Sequence, residues 1–323
     1  MRTKRVVELV AQEIIKQNPE LSDRALELAQ AVLEAAGITI STKPSRKSKK
    51  DKDEELPPAE AGYLLFLSNG QIRGLAELAV QAASDAGDEK LIIDKKEARA
   101  RADRAHSVDV SLFGRMVADA TDLNVDAAAQ VAHALSVHKV DNEYDYFTAV
   151  DDHKKADEAE DAGAGMIGTV EFNSSTLYRY ATVDVNRLHD NLGDDAATRR
   201  AIEAFVRAFV SSMPTGKQNT FANRTLPDAV LVVIRDSQSI NFVGAYEDAV
   251  EEKVTGGRIA ASIERLAQHG RELHEAFDEQ PVAAWHFGVG ERIAPLAGFS
   301  EHSTFSTTIE AVGTLVADRL SEK

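Results

Sequence analysis

Four carboxylates crowd one short stretch of this chain, Asp141, Asp145, Asp151 and Asp152. Carboxylates at that density can hold a magnesium ion, and a bound divalent ion can activate water against a phosphodiester, so metal-assisted RNA cleavage is one chemistry the spacing permits. The run continues into HKKADEAEDAG, whose mixed charge describes a solvated tip more readily than a metal cage. Other motifs fail on context. Gly163 to Gly168 spell GAGMIG, but they follow an acidic run and precede the strand-like TVEF, whereas a dinucleotide fingerprint needs a strand before it and a helix after it. At Gly216 and Lys217 a phosphate loop would need Ser or Thr where Gln218 stands and glycine where Ser211 stands. His133 and His138, like His269 and His274, are five apart, which does not place a pair on one helical face for a metal. With no cysteines, disulfide and thiolate chemistry are excluded.

Cations able to meet phosphate are more suggestive. In MPTGKQNTFANR, Pro214 and Gly216 make a tight turn that presents Lys217, Gln218 and neighbouring backbone N–H groups. Arg115, beside Gly114, has the same potential. Lys139 and Arg179 fall on strand-like segments, where a cation is equally an exposed-face charge.

The elements that must position these residues fall into two styles. The segment VVELVAQEIIKQ carries apolar residues at helical spacing and ends at Asn18 and Pro19; LSDRALELAQAVLEAAG gives a second helix from near Ser22 to Gly37. STKPSRKSKKDKDEELPPAE passes from basic to acidic with almost nothing apolar, which predicts a disordered loop. Helix resumes at AGYLLFLSNGQIRGLAELAVQAASDAG, with a break at Asn69 and Gly70, and again in KKEARARADRAHS. From Val131 the period changes. VAHALSVHKV, LYRYATVDV and AVLVVIRD have the length and β-branched or aromatic content of strands. DDAATRRAIEAFVRAFVSSM, capped by Asp194 or Asp195, and ASIERLAQHGRELHEAFDEQ read as helices, giving an α+β sandwich. Between VAHALSVHKV and LYRYATVDV, the segments YDYFTAV and MIGTVEF flank a polar tip, the pattern of a protruding β-hairpin with an apolar base. Exposed apolar arms invite pairing, so the projection is expected to meet a partner.

In this order GRM, HKVDNEYDYFTAVDD, GTVEF and YRYA, with RTKRVVEL at the start and LHDNLG and MPTGKQNTFA later, resemble the CasC family, the backbone subunit of the type I-E CRISPR surveillance complex Cascade. The resemblance implies an RNA-recognition-motif-like (ferredoxin-like) palm over 131–141 and 176–323, helical fingers over 1–130 with a disordered 41–60 loop, and a thumb hairpin over 142–175. It implies a structural, non-enzymatic protein without cofactors that polymerises along a guide crRNA and presents its bases to target DNA. Its partners would be the crRNA, target DNA, further copies of itself and other Cascade subunits. Phe147, Val150 and Ile167 match the family's apolar thumb positions, and Met116 matches their partner across the guide. An apolar wedge forces a base from the stack by filling its space; such contacts contribute about 1–3 kcal/mol per base. Without the resemblance, the same four are ordinary core residues. Related backbone subunits of another CRISPR class cleave RNA with a loop aspartate, which keeps the ribonuclease alternative open at the thumb-base aspartates. The family also begins with a strand and a basic, glycine-containing segment ahead of the position matched by Met1, so a central first strand is expected to be missing.

Charge pulls the other way. A net charge of −16 repels polyanions and favours a protein or small-molecule partner, unless the acids are segregated and leave a basic groove. The chain of 323 residues is long enough for one large core or two modest ones. No stretch has the length to span a bilayer, and MRTKRVVELVAQEIIKQ lacks the cleavage site of a secretory signal, so a cytoplasmic protein without membrane contacts is expected.

Overall fold

The structure is a computed structural model that describes residues 2–41, 59–87, 91–117, 120–150, 164–251 and 256–322, with the side chains of 150, 164 and 165 excepted. The expected disordered loop lies almost wholly outside these residues, as do the hairpin tip, Asp151 and Asp152. The chain is α+β and divides into two compact units, one formed by 1–130, 182–204 and 313–323, the other by 131–181 and 205–312. Segments 182–204 and 313–323, expected in the palm, thus belong with the helical unit.

The first unit is built on α1 (Val6–Gln17), α2 (Ala25–Ala35), α3 (Asn69–Ala86) and α4 (Lys95–Ala102). Val6, Val7, Val10 and Ile14 of α1 meet Leu28, Ala29, Val32 and Leu33 of α2 and Leu75, Ala76 and Ala79 of α3 in one core. The i, i+3, i+4, i+7 spacing produces these apolar faces, and each fully buried Leu, Ile or Val contributes about 1.5–3 kcal/mol. Two helix starts differ from the sequence reading. The backbone from Pro19 to Arg24 is a 3-10 turn before α2 begins, with the Asn18 side chain accepting from the Glu20 N–H. SNG, read as a break, is a beginning: Ser68 caps α3 in a reciprocal box with Gln71, and the residues before it are extended, with short strands at Glu60–Ala61 and Leu65–Phe66. Helix α5 (Val108–Phe113) follows, and α6 (Val185–Leu192) is capped by Asp184 and stopped by Gly193 in the left-handed region. Asp194, rather than Asp195, caps α7 (Asp195–Ser211), accepting from the Ala197 N–H at 2.6 Å.

In the second unit the expected hairpin is present. Glu143–Val150 pairs antiparallel with Ala164–Phe172, and a register shift lies between Ala149 and Val150. The other strands are shorter or differently arranged than expected. Of VAHALSVHKV only Val131, the last residue of a short strand at Ala129–Val131, and the strand Leu135–Ser136 are extended in a ladder, and LYRYATVDV is split into Leu177–Tyr178 and Ala181–Val183. The Ser136 hydroxyl bonds the carbonyl and the N–H of His138, diverting both from a ladder. The His138 ring in turn accepts from the Thr176 N–H and donates to the Lys139 carbonyl, which makes this histidine structural. The largest sheet among the described residues has three strands, Ala229–Ile234 antiparallel to Ala283–Gly288, which runs parallel to Glu301–His302. All six side chains of Ala229–Ile234 are half-buried. The short α8 (Gln218–Phe221) precedes this sheet; α9 (Gly257–Ala276) packs beside it through Ile263 and Ala267 onto Ile293 and Leu296. Gly288 has no room for a side chain, because a Cβ would lie 2.2 Å from the Asp228 carbonyl oxygen. The last helix, α10 (Phe305–Ser321), begins in this unit and ends in the first, and buries Thr308, Ile309, Val312 and Val316. No helix of the described residues is long and apolar enough to cross a membrane.

Candidate nucleic-acid interface

The hairpin register sorts its side chains. Cross-strand partners share a face, so Phe147, opposite Gly168, lies with Met166, Val170 and Phe172, together with Glu143 and Asp145. Ile167, opposite Thr148, lies on the other face with Tyr144 and Tyr146. Phe147 and Ile167, expected to act together, therefore point in opposite directions. Both are open to solvent, at 39% and 67% exposure. Gly168 is the seat of Phe147: a Cβ there would come within 2.6 Å of the ring, so only glycine lets the phenyl lie flat across the second arm. Val150 is at the register shift, paired through its backbone with Ala164.

At the hairpin base Phe172 meets Phe221 edge to face with centroids 4.9 Å apart. Phe221 ends α8, whose first turn is preceded by Lys217 in the left-handed region with φ +59°. The turn expected from MPTGK is thus joined to the Phe147 face of the hairpin. Lys217 is exposed; Gln218 is half-buried and its side-chain oxygen accepts from Arg224 at 3.5 Å. Sequence reasoning passed over Arg224, an exposed cation in the same loop, although it lies only seven residues beyond Lys217. It also passed over Met166 and Phe172, whose common face with Phe147 follows from the strand alternation once the register is known.

Three expected cations stand differently. Lys139 is solvent-exposed and 3.6 Å from Asp141. Arg179 lies over the Phe209 ring, 4.5 Å from its centroid, with one N–H directed at the Met213 sulfur. Its neighbour Tyr178 donates to Asn241 and accepts from the Phe242 N–H, and burial pushes its phenol well above the ordinary tyrosine range. The YRYA segment is therefore knitted into its own unit. Arg115 corrects the sequence expectation most sharply. Its side chain is 2% exposed, which leaves no guanidinium surface for a phosphate. Instead it donates to the Leu123 carbonyl from Nε at 2.9 Å and Nη2 at 2.7 Å, and to Gln71 Oε1 at 3.2 Å. Next to it, Met116 is 82% exposed.

Of the four aspartates, Asp141 is paired with Lys139, and Asp145 sits opposite Val170. Among the described residues no three His, Cys, Asp or Glu side chains gather as metal ligands. His274 is buried against Phe242, Phe299 and Arg235, and desolvation, seconded by that arginine, lowers its pKa.

The family model described as CT1975-like protein matches residues 1–311. The chain belongs to this CRISPR-associated family. It is similar, at 30% identity and a TM-score of 0.77, to a chain of a solved "CRISPR RNA-guided surveillance complex, pre-nicking", over 98% of its own length and 84% of that chain. A second likeness, to a chain of a "CRISPR RNA-guided surveillance complex", has a TM-score of 0.58 and 30% identity over 78% of this CT1975-like chain and 86% of the other. A search of curated proteins finds no match. These likenesses support a Cascade-type structural subunit, the coarser part of the resemblance read from the sequence.

Proposed function

We propose that this CT1975-like chain is a backbone subunit of a type I-E Cascade-like complex, an RNA-binding scaffold of the CasC kind rather than a nuclease. Copies assemble head to tail along the guide crRNA; such a heterologous contact continues until it is capped or the guide ends. Each hairpin, acting as a thumb on an RNA-recognition-motif-like palm, inserts apolar side chains between bases of the RNA on the next copy. Sequence recognition of target DNA is then left to base pairing, and the protein follows backbone and shape.

The observation that carries this reading is the Phe147 face of the hairpin. A phenyl ring seated on Gly168 with Met166 beside it stays in water, and an aromatic contact at its base ties it to the turn bearing Lys217 and Arg224. Aromatic surface for bases beside cations for phosphates is the combination single-stranded RNA needs. Ile167, on the opposite face, contacts a different surface from Phe147.

Filter binding of the full chain to single-stranded RNA across a salt series tests the proposal. Retention should fall with salt, with a slope of log K against log salt near −0.7 per phosphate neutralised. Salt-independent or absent binding would return the protein to the class of acidic protein-interaction modules. The ribonuclease alternative is separated by incubating the chain with magnesium and complementary RNA. Intact RNA supports the scaffold; cleavage abolished by Asp151→Ala replaces it.

A further inference from the structure

In the triplet Gly114-Arg115-Met116, two residues are immobilised and the third is held out into solvent. Gly114 adopts φ +78°, and a Cβ on it would lie 2.7 Å from the Val125 carbonyl oxygen and 3.0 Å from the Ala127 nitrogen. Arg115 and Val125 exchange both backbone hydrogen bonds at 2.9 Å. Beyond Met116, the Val117 N–H donates to the Asn124 side chain at 2.6 Å, and Val117 itself is fully buried. The Arg115 guanidinium supplies the deepest anchor, held by Leu123 and Gln71 and by Asp103 at 3.5 Å.

Gln71 is the hub of that anchor. Its Oε1 accepts from the Ser68 N–H and from Arg115, while its Nε2 donates to the Ala102 carbonyl and meets the His106 ring at 2.9 Å. Every polar position of its side chain is used, as burial requires. The network thus runs from the first turn of α3 to the backbone flanking Met116. A methionine turns about three side-chain bonds, so what the protein can fix is the direction in which the side chain leaves the backbone.

We propose that Arg115 is a positioning residue: with Gly114 and Asn124 it clamps the backbone on both sides of Met116, so that this exposed thioether meets RNA bases from one fixed direction. The inference rests on the reading of this protein as a guide-RNA scaffold. It assigns Arg115 no contact with RNA, and it adds Asn124, Gln71 and Ser68 to the residues on which RNA handling depends.

The test uses the full chain labelled with 13C-methyl methionine. The chain has four methionines, so Met116→Leu identifies the resonance. Arg115→Lys keeps the charge but loses the planar fork. Asn124→Ala is the second variant; at an exposed position, it removes one hydrogen bond and no core side chain. Both should raise the mobility of the Met116 methyl on the nanosecond scale and leave Met166 and Met213 unchanged. Both should also lower affinity for single-stranded RNA carrying 2-aminopurine about five- to tenfold, with a smaller fluorescence rise on binding. In a Met116→Ala background neither should weaken RNA binding further. An unaltered Met116 methyl in both variants overturns the proposal, as does an equal loss of affinity with and without Met116. A mobilised methyl with unchanged RNA affinity and base fluorescence would instead overturn the RNA role of Met116 and leave its clamp standing.

Discussion

Phe147 and Gly168 form one functional pair, because the glycine exists to accommodate the ring. Gly168→Val forces the phenyl off the second arm, and its effect on RNA affinity should match that of Phe147→Ala, a loss of about 1–3 kcal/mol per displaced base contact. Filter binding of both variants and their double mutant checks this; the double mutant should bind no more weakly than either alone. Lys217→Glu should weaken binding uniformly across RNA sequences and make the salt slope shallower, since it removes a phosphate contact rather than a base contact. The sequence revealed little of this pairing. Phe147, Ile167 and Lys217 are visible as types, but whether an aromatic shares a face with an aliphatic depends on register, and register depends on every residue between the arms. Arg115 shows the same limit from the other side. An arginine next to a glycine looks like a phosphate ligand until its guanidinium is found satisfied by carbonyls from residues near 71, 102 and 123, which no local pattern brings together.

At the scale of elements, α3 depends on its first turn. Ser68→Ala removes a cap and the hydroxyl bonded to the Ala105 carbonyl, and should cost about 1–2 kcal/mol of stability in urea denaturation. Histidines wholly or partly withdrawn from water set a pH response. His106, His274 and His286 all have lowered pKa values, led in each case by desolvation, with Arg115, Arg235 and His302 respectively adding to it. A base with a folded-state pKa below its unfolded value favours folding above about pH 6.5, and that contribution is lost as pH falls through the lowered folded-state values. Urea midpoints should therefore drop on acidification from pH 7 to 5, less so in His106→Asn, whose side-chain oxygen can replace the ring acceptor toward Gln71. Helices α1, α2 and α7 were legible because a 3.6-residue apolar period needs no knowledge of partners. The start of α3 was misread because serine, asparagine and glycine punctuate both ends of helices, and only the Gln71 bond back to Ser68 decides which. The strand Ala283–Gly288 went unread, although AAWHFG is an apolar run bounded by Pro281 and Gly290.

For the molecule as a whole, the acidic balance and an RNA partner coexist only if cations are concentrated where the RNA runs. The number of copies bound should rise stepwise as the RNA is lengthened, which mass photometry reads directly; a single copy at every length would remove the head-to-tail assembly.

The strand Ala229–Ile234 carries a cost for whoever handles the protein. It reads AVLVVI, has neither charge nor proline, and among the described residues occupies an end of its sheet with one side hydrogen-bonded to a neighbour. Six such residues stack readily with their own kind into fibrils. Purified by itself at high concentration, the chain should slowly form thioflavin-positive deposits, and Val232→Lys should suppress them.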